Sequence, residues 1–282
     1  MRSFTVDLNP DRDVTLHATV YDLPAVAERP TSLEDPRPAV IICPGGGYTF
    51  LSQRETDPPA AAFLAAGFDT FVLRYSIGVH ATGPNPAIDV ARAVRWVRLH
   101  AADLGVDPDR IAVLGFSAGG HVAAMSATTW NNPALAAQER AEYEALSARG
   151  VEANAGLMTV SSRPDAVLPA YAVFNFDWKP DDFVAIGVEY QDCIAAVTDE
   201  VPPVFLWTTD EDQTVPPSQS LRFAQALSAA CVPFEYHHFQ RRVHGLATGT
   251  QVANNDRPPL PENVSAWVGL ATAWLRATWA AR

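Results

Sequence analysis

The chain has 282 residues, 48% of them hydrophobic and 18% charged, a composition typical of a folded globular protein and not of a disordered one. Its formal net charge of −12 argues against nucleic acid or an anionic membrane as a partner, because both would be repelled. The sequence contains no stretch near the ~18 apolar residues that a membrane span requires.

The three cysteines, Cys43, Cys193 and Cys231, lie far apart in the sequence. Their number and spacing fit neither a disulfide framework nor a zinc site, so we expect reduced thiols. Residues 1–7 also lack the apolar core of a signal peptide. Both observations favour a cytoplasmic location.

Strands and helices are predicted to alternate along most of the chain. Val14–Val20 alternates between apolar and polar residues, which fits an antiparallel edge strand. Apolar, β-rich runs predict further strands at 39–43, 69–75, 111–115, 166–173, 204–208 and 234–239. Helices are predicted at 60–66, 86–104, 117–128 and 218–230, with a closing helix that carries Val264, Trp267, Ala271, Trp274 and Leu275. This order predicts an α/β fold with a mostly parallel, doubly wound sheet.

No repeat or low-complexity linker divides the chain, so residues 1–282 are expected to form one domain. Two long segments, 131–164 and 175–200, fall outside the alternation of strands and helices. Because both follow predicted strands, they are candidates for a small lid over the carboxyl end of the sheet.

A candidate nucleophile lies between a predicted strand and a predicted helix. The segment Gly115-Phe116-Ser117-Ala118-Gly119 matches the G-x-S-x-G elbow, in which a serine occupies a strained turn and small neighbours avoid a clash. The N-terminus of the next helix directs N–H groups and a positive dipole end toward the reacting atoms. We therefore predict that Ser117 is a catalytic nucleophile.

Acyl transfer to a serine also requires hydrogen-bond donors for the oxyanion. The segment Pro44-Gly45-Gly46-Gly47-Tyr48 directly follows a buried strand, and its glycines allow a close backbone approach. A phosphate-binding loop is the alternative, but it would require a lysine that is missing here. We predict that the N–H groups of Gly46, Gly47 and Ala118 form an oxyanion hole.

The candidate base is one of seven histidines. In a strand–elbow–helix hydrolase the triad follows the order Ser, Asp or Glu, then His, which excludes every histidine before Ser117. His121 lies one helical turn after the serine and is expected to be packed, while His237 and His238 fall within a predicted strand. His244, in the loop beyond that strand, is the predicted base.

The candidate acid should lie in the loop after the strand 204–208. Asp210, Glu211 and Asp212 all meet this condition, and their residue types alone do not separate them. Less favoured carboxylates follow the preceding strand, at Asp177, Asp181 and Asp182.

These motifs together resemble the α/β-hydrolase esterases related to acetyl xylan esterases and to hormone-sensitive-lipase-like carboxylesterases. The resemblance spans about residues 39–247 and rests on the glycine loop, the elbow and four later segments. Those segments are Pro203-Val204-Phe205-Leu206-Trp207-Thr208, Asp212 with Val215-Pro216, Val232-Pro233-Phe234-Glu235-Tyr236-His237 and His244-Gly245-Leu246. The sequence departs from the lipase-like pattern at Pro44, where that pattern has histidine, and at Arg241-Arg242-Val243 before His244.

The resemblance implies that Asp212 is the triad acid and that the enzyme needs no metal or cofactor. It also implies hydrolysis of short-chain esters, such as acetyl groups on sugar hydroxyls. Tyr48 and Trp178 are candidate substrate contacts. Within the same fold, an exopeptidase or a dienelactone-hydrolase-like enzyme is the alternative, although the latter usually carries a cysteine nucleophile. A catalytically silent small-molecule binder is a second alternative.

Overall fold

The computed structural model describes residues 1–22, 36–150, 156–179, 191–240, 242–254 and 262–281. In these ranges eight strands form one sheet, in the order β1-β2-β4-β3-β5-β6-β7-β8. The strands are β1 (Arg2–Asn9), β2 (Val14–Val20), β3 (Arg37–Cys43), β4 (Asp69–Arg74), β5 (Val106–Phe116), β6 (Ala166–Ala170), β7 (Val204–Thr209) and β8 (Phe234–Phe239). All neighbours from β4 to β8 in this order run parallel, which confirms the predicted mostly parallel sheet.

The antiparallel edge of the sheet contains one more strand than predicted. β2 pairs antiparallel with β4, but β1 covers its other side and is the outermost strand. The predicted antiparallel N-terminal edge is therefore confirmed, with β1 and not β2 as its outermost strand. The missed signal is the alternation of Phe4, Val6 and Leu8 with polar neighbours, which is typical of a half-buried strand.

Eight helices accompany the sheet in the described part of the chain. They are α1 (Asp57–Ala65), α2 (Asn85–Leu99), α3 (Ala101–Leu104), α4 (Ala118–Thr128), α5 (Pro133–Ala148), α6 (Ser218–Ala229), α7 (Glu262–Ser265) and α8 (Trp267–Ala280). The predicted helix 86–104 thus divides at His100, and the closing helix divides at Ala266. None of these helices combines the length and the apolar character that crossing a bilayer requires.

The sheet is covered by apolar side chains on both faces. Helices α2, α4 and α6 contribute Val94, Val122 and Phe223 to the core on one face, and α1 and α8 contribute Phe63 and Trp267 to the other. Because successive residues of a strand point to opposite faces, a central strand must be apolar at every position. This explains the uninterrupted apolar runs in the sequence.

Helix α5 belongs to the first predicted lid segment and packs against α2. Glu139 accepts a hydrogen bond from Arg95 Nε at 3.1 Å, and both side chains are buried. Burial raises the pKa of Glu139, while the neighbouring Arg95 lowers it. In the second segment, residues 180–190 lie outside the described residues, so the lid itself stays a prediction.

We expect Glu139→Ala to destabilise the protein by about 3–5 kcal/mol, because it leaves the Arg95 guanidinium buried without its carboxylate. The free energy of unfolding in urea measures the effect. Glu144→Ala is the matched control, since Glu144 is exposed on the same helix and its loss should change stability by less than about 0.5 kcal/mol. Equal effects of the two substitutions would contradict the importance of the buried pair.

Candidate active site

The predicted nucleophile, Ser117, lies in a strained turn between β5 and α4. Its φ and ψ angles are 53° and −118°, in a region that residues other than glycine rarely adopt. Such a conformation typically costs about 1–3 kcal/mol and persists only where its surroundings enforce it. Here the N–H group of Ser117 donates to the carbonyl oxygen of Ala170 at the end of β6 at 3.0 Å, which fixes the turn to the sheet.

Gly119 allows the helix after this turn to pack directly against the end of β3. A Cβ atom at this position would lie 2.1 Å from the carbonyl oxygen of Cys43, a distance that no backbone tolerates. The glycine of the elbow motif is therefore required by the close approach of two backbones. The approach also brings the glycine loop that follows β3 next to Ser117.

The structure brings the predicted serine, histidine and aspartate into one hydrogen-bonded chain. His244 Nε2 lies 2.9 Å from Ser117 Oγ, and His244 Nδ1 lies 2.6 Å from Asp212 Oδ2. A carboxylate only accepts, so Nδ1 carries the proton and Nε2 is free to accept the serine proton. Ser117, Asp212 and His244 follow β5, β7 and β8, whose carboxyl ends meet at one edge of the parallel sheet.

Burial and hydrogen bonding separate the three candidate acids. Asp212 is buried, and its Oδ1 accepts from the backbone N–H groups of Thr214 and Val215 at 2.9 and 2.8 Å. Asp210 and Glu211 are exposed. The structure therefore places Asp212, and neither neighbour, behind the imidazole.

The less favoured carboxylates do not provide a better candidate. Asp177 pairs with Arg222 on the surface. Asp181 and Asp182 lie outside the described residues.

The competing histidines lie away from this chain of hydrogen bonds. His237 Nε2 lies 2.7 Å from Glu235 Oε1 on the same strand, and its ring stacks on Phe239. His238 is exposed on β8.

The glycine loop takes a conformation that suits an oxyanion hole. Gly46 has a φ of 137°, and a Cβ atom there would lie 1.9 Å from the carbonyl oxygen of Phe50. The loop is closed by the N–H group of Thr49, which donates to the oxygen of Gly46 at 3.0 Å. No described residue accepts a hydrogen bond from the N–H groups of Gly46 or Gly47, and both residues line the same cavity as Ser117 and Ala118.

This cavity has a volume of about 360 Å³ and opens over Ser117 and His244. Trp178, a predicted substrate contact, lines its wall together with the exposed Phe50. Arg54 and Lys179 bring two positive charges to the lining of an otherwise acidic protein. The wall thus combines aromatic faces with polar groups, as small-molecule sites typically do.

Tyr48, the other predicted substrate contact, is fully buried and does not line the cavity. Its hydroxyl lies 2.7 Å from His121 Nδ1, and His121 Nε2 lies 2.9 Å from the carbonyl oxygen of Gln191. Because a carbonyl only accepts, Nε2 carries the proton and Nδ1 accepts from Tyr48. The structure therefore corrects the prediction: the Tyr48 side chain is buried outside the cavity, where its hydroxyl is hydrogen-bonded to His121.

In the ranges that the structure describes, no cluster of three or more His, Cys, Asp or Glu side chains is arranged to hold a metal ion. The polar groups of the cavity include Ser117 and His244, the charged residues of the wall and the hydroxyl residues Thr49, Ser52 and Thr214.

Comparison with known proteins shows to which family the chain belongs. The profile of the BD-FAE family matches residues 28–227, more than two thirds of the chain. The chain belongs to the BD-FAE family. Its fold is that of the α/β hydrolases, as in MGS-M1, an α/β-hydrolase enzyme from a deep-sea metagenome library of the Medee basin. That structure is 33% identical, with a TM-score of 0.78 over 99% of this chain and 98% of the other.

Two further relatives have names that describe ester chemistry. An acetyl ester-xyloside bifunctional hydrolase from Caldicellulosiruptor lactoaceticus is 30% identical, with a TM-score of 0.74 over 95% of this chain and 89% of the other. Esterase LipQ from Mycobacterium tuberculosis is 32% identical over 199 residues, which is 68% of this chain and 46% of that protein. The chain spans only 33–52% of the length of three of the curated relatives it matches.

Sequence reasoning missed two buried polar residues next to the hydrogen-bonded chain, Glu55 and Tyr171. Tyr171 packs edge-on against the His244 ring at 4.9 Å, and its hydroxyl lies 2.7 Å from Glu55 Oε1. The two partners are 116 residues apart, so no local pattern connects them. The only available signal was an acidic residue soon after the glycine loop.

We expect His121 to make the protein less stable in mild acid. Burial lowers its pKa to about 4, so the folded protein resists protonation while the unfolded chain takes up a proton near pH 6.5. The resulting contribution of His121 to the free energy of unfolding is complete above the pKa of the unfolded chain and is lost as the pH falls toward 4. The loss is about 2–3 kcal/mol at pH 4.5.

The free energy of unfolding in urea at pH 7.5 and 4.5 tests this expectation. His121→Asn should reduce the loss of stability between pH 7.5 and pH 4.5 by about 2–3 kcal/mol. His238→Asn, at an exposed histidine, should behave like the wild type. An identical loss in all three proteins would show that His121 does not contribute.

Proposed function

We propose that this protein is a serine carboxylesterase that hydrolyses short-chain esters, with Ser117 as nucleophile, His244 as general base and Asp212 as the acid that orients the imidazole. The observation that carries the proposal is the continuous hydrogen-bonded chain from Ser117 Oγ through His244 to Asp212 Oδ2, at 2.9 and 2.6 Å. The esterase and acetyl ester hydrolase names of its relatives support the same chemistry.

The reaction proceeds in two steps. His244 Nε2 takes the proton of Ser117 as Oγ attacks the ester carbonyl, and the resulting imidazolium then protonates the departing alcohol. Asp212 stays ionised and stabilises the imidazolium. A water molecule, activated by the same histidine, then releases the acyl group from the serine.

The developing oxyanion is stabilised by backbone donors. The N–H groups of Gly46, Gly47 and Ala118 are the donors in this proposal, and one such donor typically contributes about 3–4 kcal/mol to the transition state. This assignment of the donors is supported by the position of all three residues in the cavity wall beside Ser117.

Small acetylated molecules, such as acetylated sugars, are the proposed substrates. One relative is named for both an acetyl ester and a xyloside, and the cavity wall here offers polar and aromatic groups for a sugar. Trp178 is the proposed aromatic contact. We also propose a cytoplasmic location, in keeping with three free cysteines of which two are buried.

Substitutions in the hydrogen-bonded chain should abolish most of the activity. With p-nitrophenyl acetate, we expect Ser117→Ala and His244→Ala to lower kcat/KM by about 10⁴-fold or more, and Asp212→Asn by about 10³–10⁴-fold. The controls are Asp210→Asn and His238→Ala, which alter exposed residues and should change kcat/KM less than threefold.

Covalent labelling of Ser117 by a fluorophosphonate gives an independent readout. The wild type and the two control variants should be labelled, and Ser117→Ala should not. A folded wild-type protein that neither reacts with the probe nor hydrolyses any ester would overturn the esterase proposal in favour of a silent binder.

The size and polarity of the cavity predict a preference for short acyl chains. Arg54 and Lys179 bring positive charges to the cavity wall, and a long alkyl chain would desolvate them without compensation. We expect kcat/KM for p-nitrophenyl acetate to exceed that for the octanoate ester by at least about tenfold. Faster turnover of the octanoate ester would contradict this preference.

A further inference from the structure

A buried carboxylate lies between the two loops that flank Ser117. Glu55 is 3% exposed and ends a short helical turn, Gln53–Glu55, just after the glycine loop. Its Oε2 accepts from the N–H group of Gly45 at 2.8 Å, and its Oε1 accepts from the hydroxyl of Tyr171 at 2.7 Å. These two donors compensate for its burial.

The chain of hydrogen bonds continues from Tyr171 to the loop of the predicted base. The hydroxyl oxygen of Tyr171 accepts from the N–H group of Ala247 at 2.9 Å, three residues after His244. Gly45, Tyr171 and Ala247 follow the carboxyl ends of β3, β6 and β8. The path from Gly45 through Glu55 and Tyr171 to Ala247, here called the Glu55 bridge, thus joins the glycine loop to the histidine loop.

The direction of each hydrogen bond in this bridge is fixed. The N–H groups of Gly45 and Ala247 can only donate, so the Tyr171 oxygen accepts from one side and its proton points to Glu55. Burial, together with the charge of Glu55, raises the pKa of Tyr171 well above its usual value, which keeps this proton in place. Only an acceptor with two free oxygens satisfies both donors that face Glu55, and a glutamine does not.

Backbone strain indicates what the bridge stabilises. Tyr171 and Ala247 have φ values of 36° and 49°, both in the left-handed region that disfavours side chains. Strained residues keep such angles only where surrounding contacts enforce them. In addition, a Cβ atom on Gly45 would lie 2.7 Å from Glu55 Oε2, so the glycine leaves room for the carboxylate.

We propose that Glu55 and Tyr171 are positioning residues. They fix the positions of the glycine loop and of His244 on the two sides of Ser117. This inference rests on the proposed esterase function. Neither residue exchanges a proton with the substrate. Their effect is on geometry, and a displacement of about 1 Å in a site of this kind can cost on the order of 100-fold in rate.

Steady-state kinetics of Glu55→Gln and Tyr171→Phe with p-nitrophenyl acetate test the proposal. We expect each to lower kcat by about 10- to 100-fold with KM changed less than threefold. Since either substitution opens the same bridge, the double variant should be at most about threefold worse than the poorer single variant. The affinity for an alkyl boronic acid, which mimics the tetrahedral intermediate, should fall in parallel with kcat.

Tyr21→Phe is the matched control. Tyr21 donates its hydroxyl to the carbonyl oxygen of Leu64 at 2.6 Å, outside the cavity lining, so its loss should lower Tm without changing kcat or the affinity for the boronic acid. A general loss of stability therefore has a different signature from a loss of positioning. Glu55→Gln and Tyr171→Phe proteins that are folded and within twofold of wild-type kcat would overturn the proposal.

Hydrogen exchange separates the bridge from the proposed function. In Glu55→Gln the amide of Gly45 should exchange faster, and in Tyr171→Phe the amide of Ala247 should exchange faster, whether or not esters are hydrolysed. Unchanged exchange at both amides overturns the bridge itself. If the wild type hydrolyses no ester and resists the fluorophosphonate, the esterase proposal and the positioning role fail together, while exchange still decides whether the bridge exists.

Discussion

The strained turn at Ser117 is the constraint on which the rest of the site depends. A serine with a φ of 53° has to be enforced from several directions, and the enforcing contacts are also the ones that assemble the site. The end of β6 accepts its N–H group, and the packing of Gly119 against Cys43 brings the glycine loop beside it. The geometry of the proposed nucleophile and the position of the proposed oxyanion donors therefore follow from the same backbone contacts.

The parallel sheet positions Asp212 and His244, which are distant from Ser117 in sequence. Asp212 and His244 come from loops after β7 and β8, far from Ser117 in sequence, and they meet it because parallel strands end at a common edge. Beneath these loops the buried carboxylate of Glu55 accepts from the N–H group of Gly45 and from the hydroxyl of Tyr171. Such networks specify one arrangement because any alternative leaves a buried group unpaired.

Local patterns predicted those features that local physics determines. The elbow at Ser117 and the glycine loop are encoded in short motifs, and His244 was selected by chain order together with the predicted strand that contains His237 and His238. The choice of Asp212 as the predicted acid required the resemblance to known esterases, since burial, which distinguishes Asp212 from Asp210, is not visible in composition. Tyr48 was assigned to the cavity because an aromatic residue beside a glycine loop has no local sign of the direction in which it points.

The features that could not be predicted depend on contacts between distant residues. Glu55 gains its significance from Tyr171, which is 116 residues away. A buried polar group has meaning only together with its partner, and a single sequence does not pair them. Strand and helix boundaries likewise moved where a tertiary contact ended an element, as at Tyr171 after β6.

The loops that line the cavity are separate from the strand ends that carry the hydrogen-bonded residues, and this separation has an evolutionary consequence. Ser117, His244 and Asp212 are anchored to strand ends, whereas Phe50, Trp178 and Lys179 line the cavity from loops outside the sheet. A mutation in one of these loops alters which molecule fits the cavity, and the chain of hydrogen bonds to Ser117 does not pass through the loop. After gene duplication, such proteins can therefore diverge in substrate preference through mutations in single loops, while the residues around Ser117 stay the same.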